Sequence, residues 1–304
     1  MAQFKSYLYL MSSAVTLTLV SCSDDKGVEA PDNNPGLVSV TVLDFNPAPG
    51  QFVNEIPEYT TGDTPETMRA KAQDALNSGN LISLGAFGGN ITLRLERPIT
   101  RSLDGGPDFR IRGNAFLNTA ETAANPLGSA EPGIVMVSAD TNGNGIADDT
   151  WYILAGDDFD KAVYTTVTYT DNSSAADNTR YVTWTDNHGN SGYISRIITF
   201  HNHSFFPSWK PAHQMSFSGY RLPDNGFFDE KSHTYRQHVL DGYADSWPNN
   251  SKRSCLSLYD ARTLDNKPAD VTKIDFIRIY TGVLQNNGPL GETSTEISAI
   301  EALH

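Results

Sequence analysis

The sequence has little cysteine and little positive charge. Its 304 residues include two cysteines, and 22 lysines and arginines face 36 aspartates and glutamates, for a formal net charge of −14. Such a polyanion is not expected to bind nucleic acid or anionic lipid headgroups, but it suits a solvated surface protein that can bind cations. Two cysteines also exclude a disulfide framework.

Recognisable catalytic motifs are lacking as well. The sequence shows no nucleophile elbow, HExxH, Walker motif or catalytic triad. The segment Gly85–Gly89 precedes a strand pattern rather than a helix, so we expect a turn with close backbone approach and not a phosphate cradle. A glycosidase-type carboxylate pair stays an alternative in so acidic a chain. The sequence as a whole favours a binding protein and not an enzyme.

The N-terminus has the pattern of a lipoprotein signal. An apolar stretch over residues 8–20 is shorter than the roughly 20 apolar residues that cross a bilayer. It ends in Leu-Val-Ser-Cys at residues 19–22, which resembles a lipobox. We therefore expect a signal peptide over residues 1–21 and lipidation of Cys22. The alternative is an ordinary secretory signal with a coincidental cysteine.

The residues after Cys22 are polar. Ser23-Asp24-Asp25-Lys26 resembles the acidic surface-export signal of Bacteroidota lipoproteins, and residues 22–36 as a whole have the composition of a flexible tether. We expect an outer-membrane location, facing the exterior, with the membrane contacted only through the Cys22 lipid. A plain solvated tether is the alternative.

Short strand patterns dominate the rest of the chain and predict an all-β fold. They cover Val38–Phe45, Leu81–Leu84, Ile91–Leu95, Ile134–Ala139, Trp151–Leu154, Val163–Tyr169, Tyr181–Trp184, Ile194–Phe200, Leu256–Tyr259 and Ile274–Tyr280. One helix is also indicated, with Asp63 or Thr64 as N-cap, Pro65 at its first position and Gly79 at its end.

The closing segment predicts a more specific architecture. An alternating strand over Thr272–Tyr280, a Gly/Asn/Pro loop and a last strand-like run over Ser294–Ile300 resemble the end of discoidin-like (galactose-binding-like) jelly rolls, in which the terminal strands pair. We expect a jelly-roll-like β-sandwich over residues 37–304. Because such domains are about half this length, residues 158–270 would form a large loop-rich insertion or second lobe.

The segment Asp140–Asp149 predicts a structural calcium site. Oxygens at alternate positions fold around Ca²⁺, and a glycine allows the sharp turn. The expected ligands are Asp140, Asn142, Asn144, the Ile146 carbonyl and Asp148, with Asp149, Asp157 or Asp158 completing the set. Trp151 stands where an EF-hand has glutamate, and the flanks are strand-like, so this is not a helix–loop–helix site. An Asn-Gly hairpin turn is the alternative.

Histidines and aromatic residues concentrate between residues 201 and 247. His201 and His203 share one face of a strand and could begin a zinc or copper site, but no third ligand has recognisable spacing. Nearby prolines indicate loops. The aromatic side chains form either a binding face or the core of a second lobe.

Six segments resemble a family of Bacteroidota surface lipoproteins associated with vitamin B12 (cobalamin) uptake loci. They are Phe45–Phe52, Ser83–Gly89, Asp108–Phe116, Glu131–Val137 with the calcium-like loop, Trp151–Gly156 and Ile274–Glu296. The resemblance implies an accessory protein that captures cobalamin for a TonB-dependent outer-membrane transporter. Our hypothesis for the ligand face is His201, His203, Trp209, Tyr220, Tyr243 and Trp247, with axial coordination of cobalt by His201 or His203 as a further alternative. The alternative function is a calcium-stabilised carbohydrate-binding or adhesion lipoprotein.

Overall fold

The computed structural model describes residues 36–174, 180–196 and 201–304. Short antiparallel strands dominate this part of the chain, so the all-β prediction is confirmed. In chain order the elements are β1 (Gly36–Val38), β2 (Val40–Asn46), α1 (Pro65–Asn77), β3 (Ile82–Ser83), β4 (Asn90–Thr100), β5 (Phe109–Arg112), β6 (Phe116–Leu117), β7 (Leu127–Ser129), β8 (Gly133–Ser138), β9 (Tyr152–Leu154), β10 (Val163–Asp171), β11 (Val182–Asp186), β12 (Ser191–Ile194), β13 (Gln214–Arg221), β14 (Gly226–Asp229), β15 (Thr234–His238), β16 (Cys255–Leu256), β17 (Ala261–Arg262), β18 (Lys273–Thr281), β19 (Glu296–Ile297) and β20 (Ala299–Ala302). Short 3-10 helices lie at Phe159–Lys161, Lys252–Ser254, Leu258–Asp260 and Gly288–Leu290.

A six-stranded sheet in the order β17-β9-β8-β18-β4-β2 forms the centre of the described part of the chain. Its side chains alternate between two buried layers because successive residues of a strand point to opposite faces. On β8, Val135 and Val137 join one hydrophobic cluster while Ile134 joins the other; on β18, Ile279 and Tyr280 divide in the same way. Both faces of the sheet are therefore covered.

The first hydrophobic cluster contains residues of α1 and of the sheet β1-β20-β5-β16. In α1, Thr64 is the N-cap and Pro65 the first residue, and Met68, Ala72 and Leu76 are buried. Gly79 has φ of 68° just beyond the helix, in the left-handed conformation that favours glycine. The helix prediction is confirmed.

The terminal strands of the described chain pair as expected. β1 runs antiparallel to β20, with Gly36 opposite Ala302 and Val38 opposite Ile300. β2 pairs with β4, which in turn pairs with β18. The first and last described strands therefore lie side by side in one sheet, while β2 belongs to the six-stranded sheet.

Residues 158–270 are richer in strands than the sequence indicated. They form the sheet β12-β11-β10-β13, and β14 and β15 join β7 and β6 in another sheet. The expectation of loops near the prolines is wrong for β13–β15, because Pro211 and Pro223 flank β13 rather than interrupt it. β16 and β17 pair with β5 and β9, so the segment shares sheets with the rest of the chain, and the described residues belong to one compact unit.

At three places the predicted strands differ from the described strands or extend beyond the described residues. Leu256–Tyr259 is a strand only at its start, since Leu258–Asp260 is a 3-10 helix, and β12 begins before Ile194. Residues 197–200 of the predicted Ile194–Phe200 strand lie outside the described residues. No helix among the described residues is long and apolar enough to span a membrane.

Candidate functional site

The predicted calcium loop joins the antiparallel strands β8 and β9. Its first side chain organises the turn: Asp140 Oδ1 accepts hydrogen bonds from the backbone N–H groups of Gly143 and Asn144 (2.8 and 3.1 Å), and Oδ2 accepts from Gly145 (2.9 Å). Gly143 and Gly145 have φ of 72° and 71°, which glycine adopts without strain.

The side chains at the next expected ligand positions converge. Asn142 and Asn144 each donate from the side-chain Nδ2 to Asp148 Oδ1, at 3.4 and 3.3 Å. Ile146 is exposed, and its N–H donates to Asn144 Oδ1 at 2.7 Å. Acidic and amide oxygens on a short exposed loop are a donor set that fits Ca²⁺.

Of the carboxylates proposed to complete the set, Asp149 contacts the loop itself, whereas Asp157 and Asp158 are engaged elsewhere. Asp149 binds the backbone N–H and hydroxyl of Thr141, Asp157 Oδ2 accepts from the Asp241 N–H at 2.9 Å, and Asp158 pairs with Lys161. Asp275 on β18 was missed: its Oδ2 accepts from the Asp140 N–H at 2.9 Å and fixes the start of the loop. No spacing rule links Asp275 to this loop, because the contact depends on the pairing of β18 with β8.

The hypothesis of a single ligand face over residues 201–247 is wrong for its largest members. Trp209, Tyr243 and Trp247 are 4%, 2% and 2% exposed and lie in three different hydrophobic clusters. Trp209 stacks on Phe45 with ring centroids 6.3 Å apart. These rings fill the interior because the sheets around them leave apolar faces to cover.

The other members of that set lie in two separate places. Tyr220 is half-buried, donates its hydroxyl to the Leu264 carbonyl at 2.7 Å and meets Tyr164 edge-on at 5.6 Å beside a cavity of about 260 Å³. His201 and His203 are near Glu55 instead, with His203 Nδ1 3.0 Å from Glu55 Oε1. Burial lowers the pKa of His201.

A larger open cavity lies beside the β11–β12 hairpin. Its volume is about 430 Å³, and its walls combine the rings of Trp184, Tyr193 and Tyr235 with the amides of Gln285 and Asn286. Tyr193 is 41% exposed. The lining was missed because the hairpin that carries Trp184 and Tyr193 is far in the chain from the 283–293 segment.

Glycines bring two of these rings against the backbone. A Cβ on Gly192 would lie 2.4 Å from the Trp184 ring, and one on Gly288 would lie 2.5 Å from the Tyr235 ring. Asn286 Nδ2 donates to the Tyr193 carbonyl at 3.3 Å and bridges the hairpin to the opposite wall. The cavity therefore has aromatic walls set by close packing and an amide group at the junction.

Glu292 also lines this cavity and is 3% exposed. Its Oε1 accepts from the Gln51 N–H at 2.6 Å, and its Oε2 has no hydrogen-bond partner among the described residues. Burial raises the pKa of Glu292 to about 7. A carboxyl group of this kind changes its charge near neutral pH.

A buried acidic cluster lies close to the closing strands. One carboxylate oxygen from each of Glu131, Asp245 and Glu296 lies within 4.8 Å of the others. Burial, together with the neighbouring charge of Glu296, raises the pKa of Asp245 to about 8 and that of Glu131 well above its usual range; burial also raises the pKa of Glu296. Three such groups cannot all be ionised at low cost, so they retain protons near neutral pH.

Of the two cysteines, Cys255 lies among the described residues and Cys22 lies outside them. Cys255 is half-buried and unpaired, and its Sγ accepts a hydrogen bond from Arg110 Nη2 at 3.2 Å. This environment agrees with its interpretation as a small packed side chain.

In comparisons with known proteins, no protein-family model matches this sequence and no curated protein matches it.

Proposed function

We propose that this chain is a cell-surface lipoprotein that binds cobalamin and passes it to a TonB-dependent outer-membrane transporter. The sequence resemblance supplies the ligand class, and the cavity lined by Trp184, Tyr193 and Tyr235 is the observation that carries the proposal. Cobalamin is large, rich in amides and partly apolar, and a concave surface of aromatic rings with a few amide groups fits such a molecule. The role is binding rather than catalysis.

The cavity would hold only part of so large a ligand. Because Tyr193 on its wall is exposed, we place the remainder of the ligand over the β11–β12 hairpin. This site replaces the face that we expected at residues 201–247. Glu292 at the wall supplies a group whose charge changes near pH 7.

The experiment is a calorimetric titration of residues 23–304 with cyanocobalamin in calcium buffer. We expect saturable 1:1 binding that Trp184→Ala and Tyr193→Ala each weaken at least about tenfold, because a lost aromatic anchor removes most of its local contact energy. Tyr259→Ala is the matched control, since Tyr259 is also exposed but lies against Arg101 and away from the cavity.

Two outcomes would redirect the proposal. Binding that is lost in Tyr220→Ala and kept in Tyr193→Ala would move the site to the smaller cavity. Absence of cobalamin binding at several temperatures, combined with binding on a glycan array, would replace it with the carbohydrate-binding alternative.

The proposal also includes a lipid anchor on Cys22, a structural calcium ion and a jelly-roll fold. Lipidation at Cys22 predicts that labelled palmitate is incorporated into the wild type and not into Cys22→Ser. The loop Asp140–Asp148 would hold Ca²⁺ as a structural ion. The six-stranded sheet and the sheet β1-β20-β5-β16 would correspond to a galactose-binding-like jelly roll, supported by the pairing of β1 with β20.

A further inference from the structure

Two distant segments are tied together around Glu55 and the histidines His201 and His203. Asn54 donates from Nδ2 to the carbonyls of Ser204 and Phe206 (2.6 and 2.8 Å), and its Oδ1 accepts from the Ser208 N–H at 2.9 Å. The Gly50 N–H donates to the Phe205 carbonyl at 2.9 Å. These bonds set the 201–208 segment against the 50–55 turn before any contact of the histidines is counted.

The arrangement brings three ligating groups together. One atom from each of Glu55, His201 and His203 lies within 4.8 Å of the other two. Two imidazoles and a carboxylate are a ligand set of zinc sites and of some iron sites. This is a different chemistry from the all-oxygen loop at Asp140–Asp148.

The contact between His203 and Glu55 needs a proton or a metal ion between the two side chains. Its Nε2 lies 2.6 Å from the Gln51 carbonyl oxygen, which can only accept, so Nε2 carries the hydrogen. In the neutral ring Nδ1 then presents a lone pair, and Nδ1 lies 3.0 Å from Glu55 Oε1. Two lone pairs at this distance are attracted only through a proton or a metal ion between them. A backbone carbonyl that orients the second ring nitrogen is the usual support of a metal-bound histidine.

His201 favours the metal over the proton. Its Nδ1 is buried and has no hydrogen-bond partner among the described residues. The His201 ring packs edge-on against Phe52 and His203, with ring centroids 4.9 and 5.8 Å apart. A proton shared by Glu55 and His203 needs no third group, whereas a metal ion accounts for a second imidazole placed beside them.

We propose that Glu55, His201 and His203 bind a divalent transition-metal ion, with Zn²⁺ as the first choice. Bond lengths of about 2.0–2.2 Å place neighbouring ligand atoms about 3.3 Å apart in a tetrahedral site, which is close to the His203–Glu55 distance. A cavity of about 330 Å³, lined by Glu55, Tyr59, His203 and Ser208 among others, opens beside these residues. The ion therefore keeps one coordination position accessible to water or to a small ligand.

The test uses residues 23–304 in excess Ca²⁺, so that the calcium loop does not compete. Zn²⁺ is titrated in competition with a chromophoric chelator. We expect one site per chain, and Glu55→Gln, His201→Gln and His203→Gln should each weaken it at least about tenfold, since even changes behind metal ligands cost that much. His213→Gln is the matched control: His213 also faces one carboxylate, Asp171 at 3.8 Å, but its side chain is 94% exposed. Co²⁺ should give visible absorption bands in the wild type that are lost in Glu55→Gln.

The absence of a 1:1 zinc complex would overturn the proposal and leave His203 and Glu55 as an ordinary ion pair. An affinity that is unchanged in both Glu55→Gln and His201→Gln would overturn it too, because the zinc would then be bound elsewhere. Should His203→Gln fail to fold for lack of the Gln51 contact, Glu55→Gln still decides the question, since the Glu55 side chain is 44% exposed.

Discussion

Glu292 and Gln51 are 241 positions apart, yet the Gln51 N–H donates to Glu292 Oε1 at 2.6 Å. The bond links the wall of the cavity beside the β11–β12 hairpin to the 50–55 turn that carries Glu55. The amide side of Gln51 also donates, through Nε2, to the Leu290 carbonyl at 3.1 Å. Gln51 therefore contacts both proposed sites, because its N–H binds Glu292 at the cavity wall and its carbonyl oxygen binds His203 of the metal site.

Glu292 gives the fold a dependence on pH with a definite sign. Its pKa is about 7 in the folded chain, above the ordinary value of 4.5, so the folded state holds the proton more tightly than the unfolded state. Its contribution to the free energy of unfolding is fully present below about pH 4.5 and is lost as the pH rises through about 7. At about 1.4 kcal/mol for each pKa unit, the free energy of unfolding falls by at most about 3.5 kcal/mol.

Glu292→Gln should reduce this dependence, because glutamine stays neutral and keeps an oxygen for the Gln51 N–H. Urea unfolding of residues 23–304 at intervals from pH 5 to pH 8 should show a smaller fall in the free energy of unfolding than the wild type shows. Exposed Glu230→Gln serves as the control. Parallel curves for the wild type and Glu292→Gln would show that the buried carboxyl does not titrate in this range.

The calcium loop predicts a metal-dependent stability. Adding Ca²⁺ should raise the melting temperature of the wild type, since an ion that binds only the folded state stabilises it by mass action, about 2.7 kcal/mol at a concentration one hundred times the Kd. Asp140→Asn and Asp148→Asn should lose most of this increase. Asp265→Asn, a change of an exposed loop aspartate paired with Lys267, should keep it. An equal calcium effect in all four proteins would place the ion elsewhere.

The sequence was sufficient to predict structural elements that are determined by neighbouring residues. The α1 boundaries follow from a capping threonine and a proline at the first position, and the β8–loop–β9 arrangement follows from two apolar runs around an Asp/Asn/Gly segment. The pairing of β1 with β20 is not a local signal, and it was expected only from the resemblance of the closing segment to discoidin-like jelly rolls.

The sequence was insufficient wherever burial or distant contacts decide. Composition shows that residues 201–247 are aromatic, but the same rings could cover a surface or fill a core; Trp209 and Trp247 are in the core. Glu55 could not be assigned to His201 and His203, since the Asn54 bonds that join their segments are visible only in the fold. Asp275 joins the calcium loop only through strand pairing.

Asp245 combines a left-handed backbone conformation, with φ of 51°, and a buried carboxyl group. Oδ1 accepts from the N–H groups of Asn114 and Ala115, and Oδ2 accepts from Glu296, each at 2.9 Å. Asparagine tolerates this backbone conformation as well as aspartate does, so Asp245→Asn changes the carboxyl group without straining the backbone. Its NH₂ group must face either the Glu296 N–H or the N–H pair of residues 114 and 115, which leaves at least one buried donor without an acceptor.

We expect Asp245→Asn to lower the free energy of unfolding by about 1–3 kcal/mol, the cost of a buried polar group left unpaired. Chemical denaturation at pH 7 measures it. Asn266→Asp makes the reverse exchange at an exposed residue with φ of 62°, and because solvent satisfies either side chain there, it should stay within about 0.5 kcal/mol of the wild type. Burial raises the pKa of Asp245 to about 8, so its carboxyl group is largely neutral at pH 7 and the substitution changes the charge of the cluster little. Equal stability of Asp245→Asn and the wild type would therefore contradict the prediction, because it would mean that the fold accommodates the amide without leaving a buried donor unpaired.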